Sequence, residues 1–250
     1  MPKFFVVSDI HGFFNEFKNA LDNAGFDPNN ENHYLVCCGD YFDRGPNPKE
    51  LMDFLMGLKR AILIKGNHED LFVECCNREN FLSHDIHNGT VDTIRQLGGD
   101  HPFFYEDCRI ARVKVVPFFE KMVDYFETKN YIFVHGWIPL IDDNIFPYYY
   151  RGERDYSYDP DWRNANNVEW EAARWINGID AGFSGLIEPN KTIVCGHWHC
   201  SYAHYRAGNS TGQKENFTPF YGDNFIAIDA CTAYSKQVNV IVIEDEFLEK

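Results

Sequence analysis

"AILIKGNHED", residues 61–70, is an apolar run that breaks off at Lys65 and Gly66 and continues directly into an amide, an imidazole and two carboxylates. Four consecutive apolar residues suit a strand buried on both faces. Gly66 alone would turn the chain, and Asn67, His68 and Glu69 supply more polar chemistry than a turn requires. The same pattern recurs in "KFFVVSDIHG" (3–12), "YLVCCGDYFDRG" (34–45), "YIFVHGW" (131–137) and "TIVCGHWHC" (192–200). In each, an apolar run gives way at once to Gly, Asp, His or a small polar residue.

Two of these runs lead into helical patterns. "FFNEFKNALDNAGF" (13–26) spaces Phe14, Phe17, Leu21 and Ala24 on one face. "NPKELMDFLMGLK" (47–59) places Asn47 as N-cap, Pro48 at the first helical position, Glu50 as a capping-box partner and an apolar face of Leu51, Phe54, Leu55 and Leu58. The first half therefore reads βαβαβ, an α/β fold with a largely parallel sheet and helices on its faces. Ligands of such sheets bind beyond the carboxyl ends of the strands, where all five motifs fall.

The second half reads as more antiparallel. "MVDYFE", "TKN" and "YIFVH" (122–135) form a hairpin pattern, and "NFIAIDACTAYSKQVNVIVIED" (224–245) reads as two closing strands. Residues 141–180 read as an inserted segment over the site, with a helix near "NVEWEAARWI" (167–176). Its aromatic stretch "FPYYYRGERDYSYDPDW" (146–162) could stack a nucleobase, dock a peptide, or simply pack as a surface loop. A single domain over 1–250 is the economical organisation.

A net charge of −15 argues against a nucleic-acid backbone or an anionic membrane as the main partner. It leaves a phosphate substrate open, because bound cations reverse the local field. The eight cysteines include no C-x-x-C pair, the N-terminus has no signal-peptide core, and no apolar run reaches membrane-spanning length. The expected compartment is the cytosol, with reduced thiols.

The strand-end ligand candidates are Asp9, His11, Asp40, Asn67, His135, His197 and His199. Taken singly, each is an ordinary cap or surface group; five repeats of one pattern are not. Imidazoles with carboxylates suit manganese, iron or zinc, and the amide oxygen favours a site that tolerates hard ions. Seven donors are too many for one ion, so two divalent or trivalent ions are expected, with manganese first and a carboxylate such as Asp40 able to bridge them. "CGHWHC" lacks the second Cys/His pair of a zinc knuckle, so Cys195 is expected to belong to its strand.

In order and spacing, "SDIHG", "GDYFDRG", "GNHE", "VHGW" and "GHWH" resemble the motifs of the phosphoprotein phosphatase family of calcineurin-like metallophosphoesterases. That family includes Ser/Thr protein phosphatases and bacterial diadenosine tetraphosphate hydrolases. Further similarity lies in "NGTVDTIRQLG", "VHGWIP" and the closing 227–245, so the likeness covers nearly the whole chain and is weakest across 141–170. Ser8 stands where the family usually has Gly, and the second His of "GHWH" is typical of the wider superfamily. The resemblance implies a two-sheet β sandwich flanked by helices. It implies that Asp9 and His11 bind one metal with His199 as an added ligand, that Asp40 bridges, and that Asn67, His135 and His197 bind the other. It implies that His68 protonates the leaving oxygen and is paired with Asp43, that Arg44 grips phosphate, and that a second arginine between the two late histidines does the same. Arg151, Arg154, Arg163 and Arg174 are available for that second role, and Arg174 is the one expected. Glu69 and Asp70, opening the next helix, are expected to be structural.

The activity these readings favour is hydrolysis of a phosphoserine or phosphothreonine protein by a metal-activated water. The alternative is hydrolysis of diadenosine tetraphosphate or another small phosphoester. An inactive binding module would have no need of the complete ligand set.

Overall fold

The computed structural model describes residues 1–142, 156–208 and 215–248. In chain order the first half runs β1 (Lys3–Val7), α1 (Phe14–Asn23), β2 (His33–Cys38), α2 (Pro48–Gly57), β3 (Ala61–Ile64), α3 (Asn67–Arg78), α4 (Ser83–Asn88), α5 (Thr90–Gly98) and α6 (Phe104–Phe119). It continues through β4 (Phe126–Glu127), β5 (Tyr131–Phe133), β6 (Leu140–Asp142), β7 (Tyr156–Tyr158), a 3₁₀ turn at Trp162–Asn164, α7 (Asn167–Ala173), α8 (Gly178–Phe183), β8 (Thr192–Cys195) and α9 (Cys200–Arg206). The chain closes with β9 (Phe220–Tyr221), β10 (Phe225–Ala227), α10 (Thr232–Ser235) and β11 (Ile241–Glu244).

Strands order β11-β1-β2-β3 in one sheet and β4-β5-β8-β10-β9 in the other, with β6 and β7 a separate pair. The parallel β1-β2-β3 core is the βαβαβ unit that the apolar runs predict. Alternation along each strand then builds the layers. Phe4, Val6, Val36 and Cys38 face Phe133, Val194 and Ile226 between the two sheets. Phe5, Val7, Leu35 and Cys37 face outward under the helices that carry Phe17, Leu51, Phe72, Ile94 and Val115. Ile132, Val134, Ile193 and Cys195 do the same on the far side, beneath Trp162, Trp170 and Ile179. Two sheets, each covered by helices, are the architecture the resemblance implies.

The second half is the more antiparallel one, as expected: β4–β5, β6–β7, β9–β10 and β11–β1 all pair antiparallel, and only the central β5, β8 and β10 of the second sheet run parallel to one another. Helices α7, α8 and α9 lie between those strands and make the crossovers that parallel pairing needs. Two local expectations change. The two closing strands separate, β10 entering the second sheet and β11 adding antiparallel to β1 in the first. Asn47 does sit at the N-cap of α2, but its side chain makes no capping bond. The capping box appears instead at α7, where Asn166 accepts from Val168 and Glu169 and Glu169 reaches back to Asn166.

Of the segment 141–180, residues 143–155 lie outside the described residues, and with them most of the aromatic stretch and both Arg151 and Arg154. What is described of it packs firmly: Trp162 is fully buried, and Arg163 is held by Glu127 and Glu188. The described cysteines are all free thiols, and among the described residues no helix is long and apolar enough to cross a membrane.

Candidate metal centre

Asp9, His11 and Asp40 follow β1 and β2, Asn67 and His68 follow β3, His135 follows β5, and His197 follows β8. Each sheet therefore delivers polar residues from its carboxyl edge to one place, and Asp9, Asp40, Asn67, His68 and His197 line a single cavity of about 150 Å³. The turns that do this are unusual. Asp9, His11, Asp40, Asp43, Arg44 and His197 all hold left-handed backbone with φ between 51° and 70°. A non-glycine residue pays roughly 1–2 kcal/mol for that conformation, so strain is concentrated at the site, where the surrounding packing must hold it.

The neighbouring glycines show why the motifs read G-D, G-N-H and G-H. A Cβ on Gly66 would strike Asp40 Oδ1; one on Gly39 would lie 2.6 Å from His135 Nδ1; one on Gly196 would overlap Ser8 Oγ and Asp9 Oδ2. Side chains of one strand end occupy the space against the backbone of the next. Gly196→Ala is therefore expected to destabilise the protein by about 1–3 kcal/mol, the usual overpacking range. Adding Ser8→Gly should recover part of that loss in a denaturant melt, since Ser8 Oγ is the atom struck first. A double variant no more stable than Gly196→Ala alone would place the strain elsewhere.

Asp40 sits at the centre. Its Oδ2 lies 3.7 Å from His11 Nε2 and 3.9 Å from His68 Nε2, and its Oδ1 lies 3.3 Å from His135 Nε2. Two groups with ligand spacing result, His11–Asp40–His68 and Asp40–His135–His197, and they share this one carboxylate. Backbone carbonyls fix the imidazoles: His11 Nδ1 donates to Phe42 O and His135 Nδ1 to Cys38 O, both at 2.8 Å. That leaves each Nε2 lone pair aimed inward, the usual orientation of a ligating histidine. Asn67 Oδ1 is 2.8 Å from His135 Nε2. Asp9 accepts from the Ser8 hydroxyl and, at 3.0 Å, from the His197 N–H.

The electrostatics suit cations. Burial and then the Asp40 charge push the Asp9 carboxyl up to about 8. Burial holds His11 well below the usual imidazole range, and burial with the His135 ring takes His197 down to about 3. Asp40 moves the other way: burial raises it, but the imidazoles of His135, His68 and His11 outweigh burial and lower it. His11 and His197, held neutral by burial, and the crowded buried carboxylates form a donor set that fits divalent metal ions.

His68 differs from its neighbours. Its Nδ1 donates to Asp43 Oδ2 at 2.7 Å, and Asp43 also accepts from the Thr90 hydroxyl at 2.6 Å. Burial pulls the His68 pKa down, but Asp40 and the Asp43 hydrogen bond outweigh it, so the net shift is upward. Its spacing would also permit ligation, whereas the Asp43 partnership favours an imidazolium. The Asp43 backbone is pinned by its N–H to Thr93 Oγ1 at 3.0 Å. Thr90 and Thr93 were not singled out from the sequence, although "NGTVDTIRQLG" carried them.

Arg44 lies across the mouth, with NH1 2.6 Å from His11 Nε2 and NH2 2.9 Å from His68 Nε2. One lone pair serves one partner. A cation on His11 Nε2 and a proton on His68 Nε2 both require Arg44 to turn outward.

Two expected residues are not brought into the pocket. Arg174 is buried with NH1 donating to Asp70 at 2.7 Å and NH2 to Asp124; two carboxylates hold it, and the adjacent Trp175 lines the cavity instead. His199 stands at the N-cap position of α9 with no capping bond, its Nδ1 2.7 Å from Ser201 Oγ, and lies outside both ligand groups. Glu69 does more than favour a helix terminus. Fully buried, it accepts from the backbone N–H groups of Gly66, Asp40 and Tyr41 at 2.8, 3.1 and 3.0 Å, and so ties the β2 and β3 ends together.

Comparison with known proteins adds three findings. A family model described as calcineurin-like phosphoesterase matches residues 2–215. Over 66 residues the chain is 38% identical to the symmetrical bis(5'-nucleosyl)-tetraphosphatase of Aromatoleum aromaticum, and over 64 residues 41% identical to that of Aeromonas hydrophila. These matches cover 26% and 25% of this chain and 23% of each relative, so the chain spans under a quarter of the curated relatives' length. Among solved structures, a protein serine/threonine phosphatase from Saccharomyces cerevisiae superposes with a TM-score of 0.57 at 14% identity, covering 100% of this chain and 81% of that one. A cold-active protein-tyrosine phosphatase of a Shewanella species does so with a TM-score of 0.54 at 15% identity, covering 98% and 76%. At such identities these two superpositions speak for the fold alone.

Proposed function

The chain belongs to the calcineurin-like phosphoesterase family, and from that premise we propose that it is a metal-dependent phosphoester hydrolase whose substrate is a dinucleoside polyphosphate such as diadenosine tetraphosphate. The observation that carries the hydrolase reading is Asp40, one buried carboxylate with an oxygen turned toward each of two imidazole-bearing groups. In this reading Asp9, His11 and Asp40 hold one cation, and Asp40, Asn67, His135 and His197 hold the other. When bound, the two cations supply Lewis-acid charge for the phosphoryl oxygens and acidify the attacking water. Manganese is the first candidate, with iron and zinc next.

The protein's own groups do the rest. Arg44, swung off the two histidines, offers a planar fork to phosphate oxygens. Asp43, steadied by Thr90 and Thr93, keeps His68 oriented with Nε2 toward the site. As water adds to phosphorus and the bridging P–O bond breaks, the leaving oxygen takes the His68 proton; the proton lost by the water passes to solvent, from which His68 is recharged. Trp175, 46% exposed beside His197, presents an indole at the rim suited to a base.

The choice of a dinucleotide over a phosphoprotein is supported by the 36–41% identical relatives, named as symmetrical bis(5'-nucleosyl)-tetraphosphatases. The phosphoprotein reading rests on motif resemblance alone. Side-by-side kinetics of the manganese-loaded protein on diadenosine tetraphosphate, a phosphoserine peptide and p-nitrophenyl phosphate tests the choice. A kcat/KM at least about tenfold higher on the dinucleotide is expected, one order of magnitude being about 1.4 kcal/mol of transition-state preference. Preference for the peptide would install the phosphoprotein reading in its place.

A further inference from the structure

A second cavity, of about 620 Å³, opens on the other side of Arg44. It is lined by Phe13, Asp92, Arg95, Gln96 and Lys236 as well as by Arg44 itself, which also lines the metal-site cavity. Arg44 is thus the shared post between the chemistry and this larger space. A volume of this size is typical of a pocket for a small organic molecule.

The charge of the wall is at odds with the chain. The protein carries −15 overall, yet Arg44, Arg95 and Lys236 place three cations around this cavity. Asp92 and Asp100 line it too, and Asp100 pairs with Arg95 at 2.8 Å, so the wall keeps a net positive charge of one within a strongly acidic chain. The cations are held in place. Lys236 lies 4.2 Å from the Phe13 ring centroid and donates to Ala233 O at 2.7 Å. Arg95 leans on Phe104. The Arg44 backbone, left-handed at φ 66°, is packed so tightly against Gly89 that a Cβ there would strike its nitrogen. Lys236 is left-handed too, at φ 57°, where it caps the C-terminus of α10.

We propose that this cavity is the leaving-group subsite, and that Lys236 and Arg95 select a leaving group that itself carries phosphate: a nucleoside diphosphate. The proposal deepens the dinucleotide reading and rests on it. A phosphate held at Arg44 has its scissile bond at the border of the two cavities, so what departs must pass into the larger one or into solvent. A seryl or threonyl peptide, protonated by His68 as it departs, leaves as a neutral alcohol with no phosphate for Lys236 and Arg95 to meet. A nucleoside diphosphate brings phosphate oxygens to both, and a ribose whose hydroxyls Asp92 can accept.

The test uses the manganese-loaded full chain with Lys236→Ala, Arg95→Gln, the double variant and Lys236→Arg. For each, kcat/KM is measured on diadenosine tetraphosphate and on p-nitrophenyl phosphate, together with inhibition of aryl phosphate hydrolysis by ADP. Loss of one charge-assisted phosphate contact should lower the dinucleotide-to-aryl ratio roughly tenfold to a hundredfold, mostly through KM. ADP inhibition should weaken by a similar factor, and Lys236→Arg should retain most of both. An unchanged ratio with unchanged ADP inhibition overturns the subsite. A wild-type protein inert on diadenosine tetraphosphate sinks the dinucleotide reading instead, and the subsite is then judged by ADP alone: weaker inhibition in Lys236→Ala upholds it, and equal inhibition overturns it.

Discussion

Asp40→Asn is expected to lose turnover on every phosphoester by at least about 10³-fold and to lose both metals together, because a single side chain serves both groups. Asn keeps the volume and one oxygen but gives up the charge. His11 and His68 face Oδ2 while His135 faces Oδ1, so no rotamer of an amide can present an oxygen to both sides. Burial makes the loss sharper: Asp40 is 2% exposed, and solvent does not replace the missing charge. Metal analysis and kinetics on the purified variant check this. Two ions still bound with activity intact would remove Asp40 from the bridging position.

His68→Asn should separate substrates by their leaving groups. An alkyl phosphate departs as a strongly basic alkoxide and needs a proton in flight, so a loss on the order of 10²–10⁴ in kcat is expected, the range for a positioned general acid. A nitrophenolate, or the phosphate oxygen of a departing nucleoside diphosphate, is far less basic and should lose much less. Both metals should stay bound. Asp43→Asn should show the same pattern more mildly, since Asp43 touches His68 and not the reacting atoms. Equal losses on all esters, or loss of a metal, would make His68 a ligand, the other role its spacing permits.

The strand-end motifs were legible because their chemistry is local. An apolar run that ends on glycine and then on a ligand announces both the strand and the close approach beyond it. The parallel first sheet was legible for the same reason, since helical periodicity separates its strands. What stayed hidden depends on partners distant in the chain. Whether Arg174 meets a phosphate or carboxylates is decided by Asp70, 104 positions away, and Asp124, 50 away. Thr90 reads as an ordinary helix opener until Asp43 is found against it, 47 positions back. The parallel centre of the second sheet was not legible because its strands are three or four residues long, too short for alternation to announce their direction. Glu69 read as a helix-terminus charge because acidic residues are common there; its backbone partners at the end of β2 are invisible in sequence.

The hydrogen bond from the His197 N–H to Asp9 joins residues 188 positions apart. One sheet supplies Asp9, Asp40 and Asn67, and the other supplies His135 and His197. During synthesis the first three emerge long before the last two, so the early half must carry its carboxylates with half of their surroundings still unmade. Such long-range pairing is slow to close, and nothing short of it completes the centre. A nascent chain without β5 and β8 is therefore expected to be catalytically silent, and onset of turnover during refolding should report the docking of the second sheet onto the first, with no need of an added label.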